Sequence, residues 1–349
     1  MTLIDWLWAI PVFGLLIFIH ELGHFAVAKF FDIRVHEFAL GFGPVLVGFD
    51  RGETRYNLRA IPLGGFVRMA GMDETEMEDP RGFNQKSVLA RSLTIAAGPF
   101  MNFVLASLLF SGYIYHLGVT LPDPVLGDLM PECTVLVDGQ PTVRPCPSVQ
   151  AGLKKGDRVL SVDGTPVQQW TDILSAVTTS EGRPMRFQVQ RGGEVLDLTV
   201  TPIFQEGRYL VGIMPSTQRG SLLRALAQGP EATVNYTVLT MAALVDAVTG
   251  RTEVPITGPV GITREIATHA AQGLENLLML TAVLSVNLAI FNLLPIPALD
   301  GSRLVFILVE KVRGKRIDPQ RENMVHFVGF LLLIGLIVVV TYGDIFGRQ

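Results

Sequence analysis

Four long apolar stretches set what this 349-residue chain can fold into: residues 6–30, 92–117, 277–299 and 324–343. Each has about the 20 residues that a helix needs to cross the hydrocarbon of a bilayer. With 17% charged residues and a mean hydropathy of +0.40, the chain is too apolar for an ordinary soluble protein. The fold class expected is a polytopic α-helical membrane protein with four transmembrane helices. A formal net charge of -4 gives no reason to expect a nucleic-acid partner. The first stretch lacks the basic start and small-residue cleavage site of a secretory signal, so it is expected to stay as a span.

Inside that first stretch sits His20-Glu21-Leu22-Gly23-His24. Two imidazoles four residues apart on a helix project from one face, so both can ligate a single zinc ion. A glutamate beside the first histidine is placed to take a proton from a water that the metal polarises. The alternative is two histidines satisfied by neighbouring helices and a glutamate paired with an arginine. It would leave three ionisable side chains at membrane depth with no role to offset their desolvation. The motif points to a zinc peptidase whose active site lies within the bilayer.

Basic residues orient the chain, since short loops rich in Lys and Arg face the cytoplasm. Lys29, Arg34, Arg51, Arg55, Arg59, Arg68, Arg81, Lys86 and Arg91 lie between the starts of the first two stretches. Lys311, Arg313, Lys315, Arg316 and Arg321 lie between the last two. Both termini are therefore expected outside, with residues 120–272 exported. His20 falls about 21 Å along the helix from Trp6, past the middle of a core about 30 Å thick. Asp300, after Leu294-Pro295-Ile296-Pro297-Ala298-Leu299, arrives in the same half, where a third zinc ligand is needed. Residues 222–249 carry Arg224, Glu231, Asn235 and Asp246. A full crossing there would move Asp300 to the opposite leaflet, so this stretch is read as an amphipathic or partly embedded helix at the outer surface.

Residues 117–215 have the size of a small domain. Residues 151–164 read as a short helix end, a Gly-Asp turn, a strand and an Asp-Gly hairpin signal. Residues 170–179 have helical spacing, and 185–190 and 195–201 alternate like paired strands around Gly192-Gly193. Cys133 and Cys146 are the only cysteines. They could close a short loop by a disulfide in an exported segment or remain as free thiols. Residues 56–69, broken at Pro62 and Gly64-Gly65, read as a hairpin-like strand pair that either dips into the membrane or lies on its surface.

Taken together, these motifs resemble the bacterial site-2 proteases of the RseP type, the regulator of sigma-E protease group. The matches are His20-Glu21-Leu22-Gly23-His24, Gly41-Phe42-Gly43-Pro44, Gly64-Gly65-Phe66-Val67, Gly98-Pro99-x-x-Asn102 and Asn292-x-x-Pro295-x-Pro297-x-Leu299-Asp300-Gly301, in that order. The resemblance implies one Zn2+ per chain held by His20, His24 and Asp300, with Glu21 as the catalytic proton carrier. Asn292 resembles an asparagine that hydrogen-bonds substrate backbone, and Gly64, Gly65 and Phe66 lie in the strand segment that could pair with an unwound substrate. Asn102 is read as a helix-packing position. The Ala151-Gly152-Leu153-Lys154-Lys155-Gly156-Asp157 stretch resembles a circularly permuted PDZ domain, with Val211, Gly212 and Ile213 in its carboxylate-binding loop.

The expected division is residues 1–116 with the first two spans and a re-entrant β segment, 117–215 as the PDZ-like domain, 216–272 as the amphipathic segment and 273–349 with the last two spans. The substrates implied are single-span membrane proteins, such as an anti-sigma factor trimmed by an upstream site-1-type protease, and remnant signal peptides. The implied location is the bacterial inner membrane. A metal transporter would need neither Glu21 nor an exported peptide-binding domain, and an inactive scaffold would not need Glu21.

Overall fold

A computed structural model describes residues 3–72, 78–120, 123–137, 140–205, 208–218, 221–251, 257–315 and 317–346. Chain contacts divide it into two units, Met1–Ile114 with Leu223–Gln349, and Tyr115–Leu222.

The larger unit opens with α1 (Leu3–Leu7) and α2 (Ala9–Phe30), which together give an apolar helical run of 26 residues, Asp5–Phe30. The chain then forms β1 (Val35–Arg51) and β2 (Thr54–Met69). Residues 35–40 pair antiparallel with 65–69, and on their other side they face 55–58 with the register rising in step. Residues 45–51 fold back onto 54–59. The first half of β1 thus runs between the two halves of β2. This corrects the expectation that residues 56–69 pair with themselves. The decisive bend is in β1, where Gly41 and Gly43 take φ of 87° and 83° and the register slips; glycine adopts that backbone without a Cβ clash. At the β1–β2 turn, Glu53 accepts from Lys29 Nζ at 2.6 Å and from Arg81 at 2.7 and 2.9 Å. The Arg81 and Lys29 hydrogen bonds hold the Glu53 carboxyl down at about 2. This fastens the sheet's turn to the end of α2. The second span, α3 (Val88–Leu117), follows.

The smaller unit holds short strands and two short helices. They are β3 (Val119–Thr120), β4 (Leu126–Leu129), β5 (Glu132–Val137), β6 (Gln140–Pro145), α4 (Pro147–Gln150), β7 (Arg158–Val162), β8 (Thr165–Pro166), α5 (Trp170–Thr178), β9 (Met185–Arg191), β10 (Glu194–Val200), β11 (Ile203–Gln205), β12 (Arg208–Leu210), β13 (Ile213–Pro215) and β14 (Thr217–Gln218). The expected helix is present as α5, and the expected hairpin around Gly192-Gly193 is β9–β10, at one side of a four-stranded sheet of order β10-β9-β7-β8. Val159, Phe187, Val189, Ile173 and Val200 form its buried centre. Cys133 and Cys146 are joined by a disulfide, which closes the base of the β5–β6 hairpin. Asp138 and Gly139, in the loop considered above, lie outside the described residues.

The chain re-enters the larger unit with α6 (Leu222–Val248), α7 (Pro259–Gln272), α8 (Leu274–Leu293), α9 (Asp300–Arg313) and α10 (Pro319–Phe346). One side of α6 packs on α3, through Thr233 Oγ1 at 3.0 Å from Ser107 Oγ and Tyr236 against Phe110. Its other side exposes Val234, Val238, Leu239 and Val245. Among the described residues, four helical runs are long and apolar enough to cross a membrane: Asp5–Phe30, Val88–Leu117, Leu274–Leu293 and Gln320–Phe346. The third stops earlier than the sequence pattern suggested. Leu294 is extended at ψ 145° before Pro295, because proline disfavours a helical residue before it and brings no N–H. The chain turns through Pro297 and Ala298 and restarts as α9 at Asp300. Asp300 therefore opens a new helix and does not close the third span. Buried Arg91 donates to partly buried Glu310 at 2.7 and 2.9 Å, which ties α9 to the start of α3.

Candidate active site

His20 and His24 lie on one face of α2, and both are buried. Asp300, at the first position of α9, reaches them from 280 residues away in sequence. Its Oδ2 is 3.1 Å from His20 Nε2 and 3.2 Å from His24 Nε2, and the two Nε2 atoms are 3.1 Å apart. Tetrahedral zinc with bonds of about 2.0–2.1 Å has ligand atoms about 3.3 Å apart. The three donors have that spacing.

The proton arrangement agrees. His24 Nδ1 donates to the Thr94 carbonyl at 2.8 Å, which leaves Nε2 of the neutral ring as a bare lone pair. That lone pair faces the Asp300 carboxylate and His20 Nε2. Electron-rich atoms facing one another at this distance are held by a shared proton or by a cation between them, and a metal ion is the cation that suits all three donors at once. On the far side of His20, Nδ1 is 3.1 Å from the Asn102 carboxamide, whose buried Oδ1 has no partner among the described residues. Turning that amide over, which exchanges two atoms of nearly equal size, lets Oδ1 accept the Nδ1 proton. His20 Nε2 is then also free to ligate. Asn102 is itself held, its carbonyl accepting from Ser285 of α8 at 2.7 Å. The sequence reading of Asn102 as a packing position missed this contact.

Close approach of α2 and α3 makes the cluster possible. A Cβ added at Gly98 would lie 2.3 Å from His24 Nε2 and 2.8 Å from His20 Nε2. Glu21, one residue along, turns toward the sheet. A Cβ at Gly65 would meet Glu21 Cγ at 3.0 Å and Ile17 Cγ2 at 2.9 Å. Gly65 and Phe66 belong to the half of β2 that pairs with residues 39–40, and Gly64 packs on the Phe42 ring. The catalytic candidate and the strand candidates thus meet.

Asn292 is elsewhere engaged: its Nδ2 donates to Leu288 O, one turn back in α8. Val211, Gly212 and Ile213 lie in the smaller unit. The Val211 carbonyl accepts from Ser148 N, and the Gly212 carbonyl accepts from Met130 N and Ser148 Oγ.

The comparison with known families can be set beside this geometry. The model of Peptidase family M50 matches residues 8–336. The chain belongs to peptidase family M50. A Clostridium perfringens relative is 38% identical over 343 residues, covering 97% of this chain and 98% of its own. The zinc metalloprotease RasP of Geobacillus kaustophilus is 33% identical over 419 residues, 96% of each chain. The regulator of sigma-W protease RasP of Bacillus subtilis is 33% identical over 422 residues, 96% of this chain and 97% of that one. This M50 peptidase is accordingly a zinc metalloprotease of the site-2 protease family, and its four apolar helices agree with a membrane protein.

Proposed function

We propose that this M50 peptidase cuts within the membrane, with His20, His24 and Asp300 as its zinc ligands and Glu21 as its proton carrier. The observation that carries the reading is the meeting of those three donors at 3.1–3.2 Å, with Glu21 beside His20 and against the sheet at Gly65. When bound, zinc supplies a Lewis acid that polarises water and the scissile carbonyl. Glu21 takes the water's proton as the new C–O bond forms and hands it to the departing amine as the C–N bond breaks. A peptide bond inside a helix is shielded by its own hydrogen bonds, so the substrate has to be unwound. The Gly64-Gly65-Phe66 part of β2 can hold the unwound segment as an added strand beside Glu21, with Asn292 a further contact to its backbone.

The substrates in this reading are single-span membrane proteins, such as an anti-sigma factor already cut by an upstream protease, and remnant signal peptides. The sigma-W name of the Bacillus subtilis relative favours the first. Residues 117–215 are the PDZ-like domain. The Val211 and Gly212 carbonyls point inward to Ser148 and Met130. In planar trans peptides the Gly212 and Ile213 N–H groups then point the opposite way, as a site for a peptide carboxylate requires. Residues 1–116 and 273–349 form the membrane catalytic part, and 216–272 lie at the outer surface. The protein sits in the inner membrane, with both termini and the PDZ-like domain outside and the active site toward the cytoplasm.

Metal content of purified variants tests the assignment. His20→Ala, His24→Ala and Asp300→Ala should each lose zinc and cleavage together. Glu21→Gln should keep zinc and lose cleavage, because Glu21 moves protons and is not a ligand. Equal metal loss in Glu21→Gln would count against it.

A further inference from the structure

Most side chains of α10 face outward, as suits a helix among lipids, but a stripe through Glu322, His326, Gly329 and Leu333, taken up again by Val340, Thr341 and Asp344, is less exposed. A histidine at such a position is costly unless it has work there. His326 Nδ1 accepts the backbone N–H of Ala298 at 3.1 Å, and its ring lies against Phe306 of α9. One turn on, Gly329 presses on the same segment: a Cβ there would lie 2.2 Å from Pro297 Cβ. Ala298 has φ 77°, a backbone region costly for a residue with a side chain. Asp300 follows two residues later.

We infer that His326 is a positioning residue for the metal site, holding the Pro297-Ala298 turn so that Asp300 enters α9 with its carboxylate on the two histidines. This deepens the zinc-site reading proposed above and rests on it. Within the turn, Leu299 N–H donates to the Ile296 carbonyl at 3.1 Å and Ile296 N–H to the Leu294 carbonyl at 2.7 Å, so both are spent locally. Pro295 and Pro297 have no N–H to give, so the Ala298 N–H is the donor through which a neighbouring helix can grip it. His326 supplies the acceptor from a separate span, and the missing side chain at Gly329 lets that span come close. Groups that fix a ligand's orientation without touching the metal typically change metal affinity or activity by about 10–100-fold.

Two near-isosteric substitutions separate acceptance from bulk. In His326→Asn the side-chain oxygen can sit where Nδ1 sits; in His326→Gln it falls nearer Nε2. With full-length protein in lipid nanodiscs, zinc retention is read against graded chelator, and kcat and KM are read on a single-span peptide substrate. His326→Gln should lose zinc about tenfold more readily and lower kcat by a similar factor with KM little changed. His326→Asn should stay within about threefold of the parent in both, a smaller loss than that range. Gly329→Ala, acting on Pro297 from the same helix, should resemble His326→Gln. Equal behaviour of the Asn and Gln variants, or unchanged zinc retention in His326→Gln, would overturn the inference. The His24→Ala control guards the reading beneath it: retention of zinc there would refute the metal site itself, and His326's role with it.

Discussion

A histidine that ligates through Nε2 carries its proton on Nδ1, and the partner of that proton decides how firmly the ring is aimed. The Thr94 carbonyl serves His24, and Asn102 serves His20. Replacing Asn102 by alanine should weaken zinc retention about 10–100-fold while the helices stay formed. Chelator competition together with circular dichroism measures both; parental retention would show that the ring is aimed by packing alone. Gly98→Ala should be harsher, because its methyl would crowd both Nε2 atoms to well inside contact distance; the expected result is a membrane-inserted protein without zinc or cleavage. The two histidines and Glu21 were legible because i, i+4 geometry is local. Asp300 was legible through the proline pattern ahead of it. Asn102 was not, since an amide in a Gly-Pro-rich helix can pack or bond, and its partner is 82 residues away. The Thr94 carbonyl leaves no mark in a sequence, because every residue has one.

Between residues and the whole lie the elements, where apolar length revealed the four spans but pairing did not reveal itself. The ends of α8 and the start of α9 follow from Pro295 and Pro297, yet the apolar run through Leu299 masked the break. The β1–β2 sheet was harder, because which half pairs with which depends on the bend at Gly41 and Gly43 and not on alternation. Gly65→Val tests the meeting of sheet and helix: it should push β2 away from Glu21, keep zinc, and lower cleavage by as much as about 100-fold through misplacement of substrate. Unchanged cleavage would separate β2 from the site. In the smaller unit, buried Asp157 accepts from Arg191 Nε and Nη2 at 2.7 Å each and from Lys154 N at 2.8 Å. Burial pushes its carboxyl up, but the Arg191 and Lys154 bonds outweigh that and hold it below the usual range. A carboxyl lowered on folding stabilises fully above its unfolded pKa of about 3.9, and that contribution fades as pH falls through the lower folded value. Thermal unfolding of the smaller unit within the full chain should therefore drop in acid below about pH 4. Arg191→Ala should cost about 2 kcal/mol at neutral pH and flatten that acid dependence. An acid profile in Arg191→Ala as steep as the parent's would dismiss the pair as its cause.

At the scale of the molecule, the proposed topology rests on the basic residues flanking the first and last pairs of spans. Cys133 and Cys146 are paired, so an added cysteine can be read against a quiet background. One placed at residue 311 should resist impermeant thiol reagents in intact cells, and one at Gln168 should react once the outer membrane is opened. The opposite pattern would reverse the topology and the side on which product is released. The division of labour can be tested next. Glu21, His20, His24 and Asp300 all belong to the larger unit, and none of them comes from the segment inserted between the second and third spans. That inserted unit is expected to govern which substrates enter and to take no part in breaking the bond. Removing residues 123–215 behind a flexible joint should keep zinc and cleavage of a short single-span substrate. It should also admit uncut substrates with bulky exported domains, because what excludes them is gone. Disrupting residues 211–214 alone separates two ways of excluding. If cleavage of trimmed substrates falls, the loop captures a newly exposed carboxylate through the Gly212 and Ile213 N–H groups; if it holds, exclusion is by size. A deletion variant that folds, binds zinc and yet cannot cut the short substrate would refute the division, and would make the inserted unit part of the catalytic apparatus.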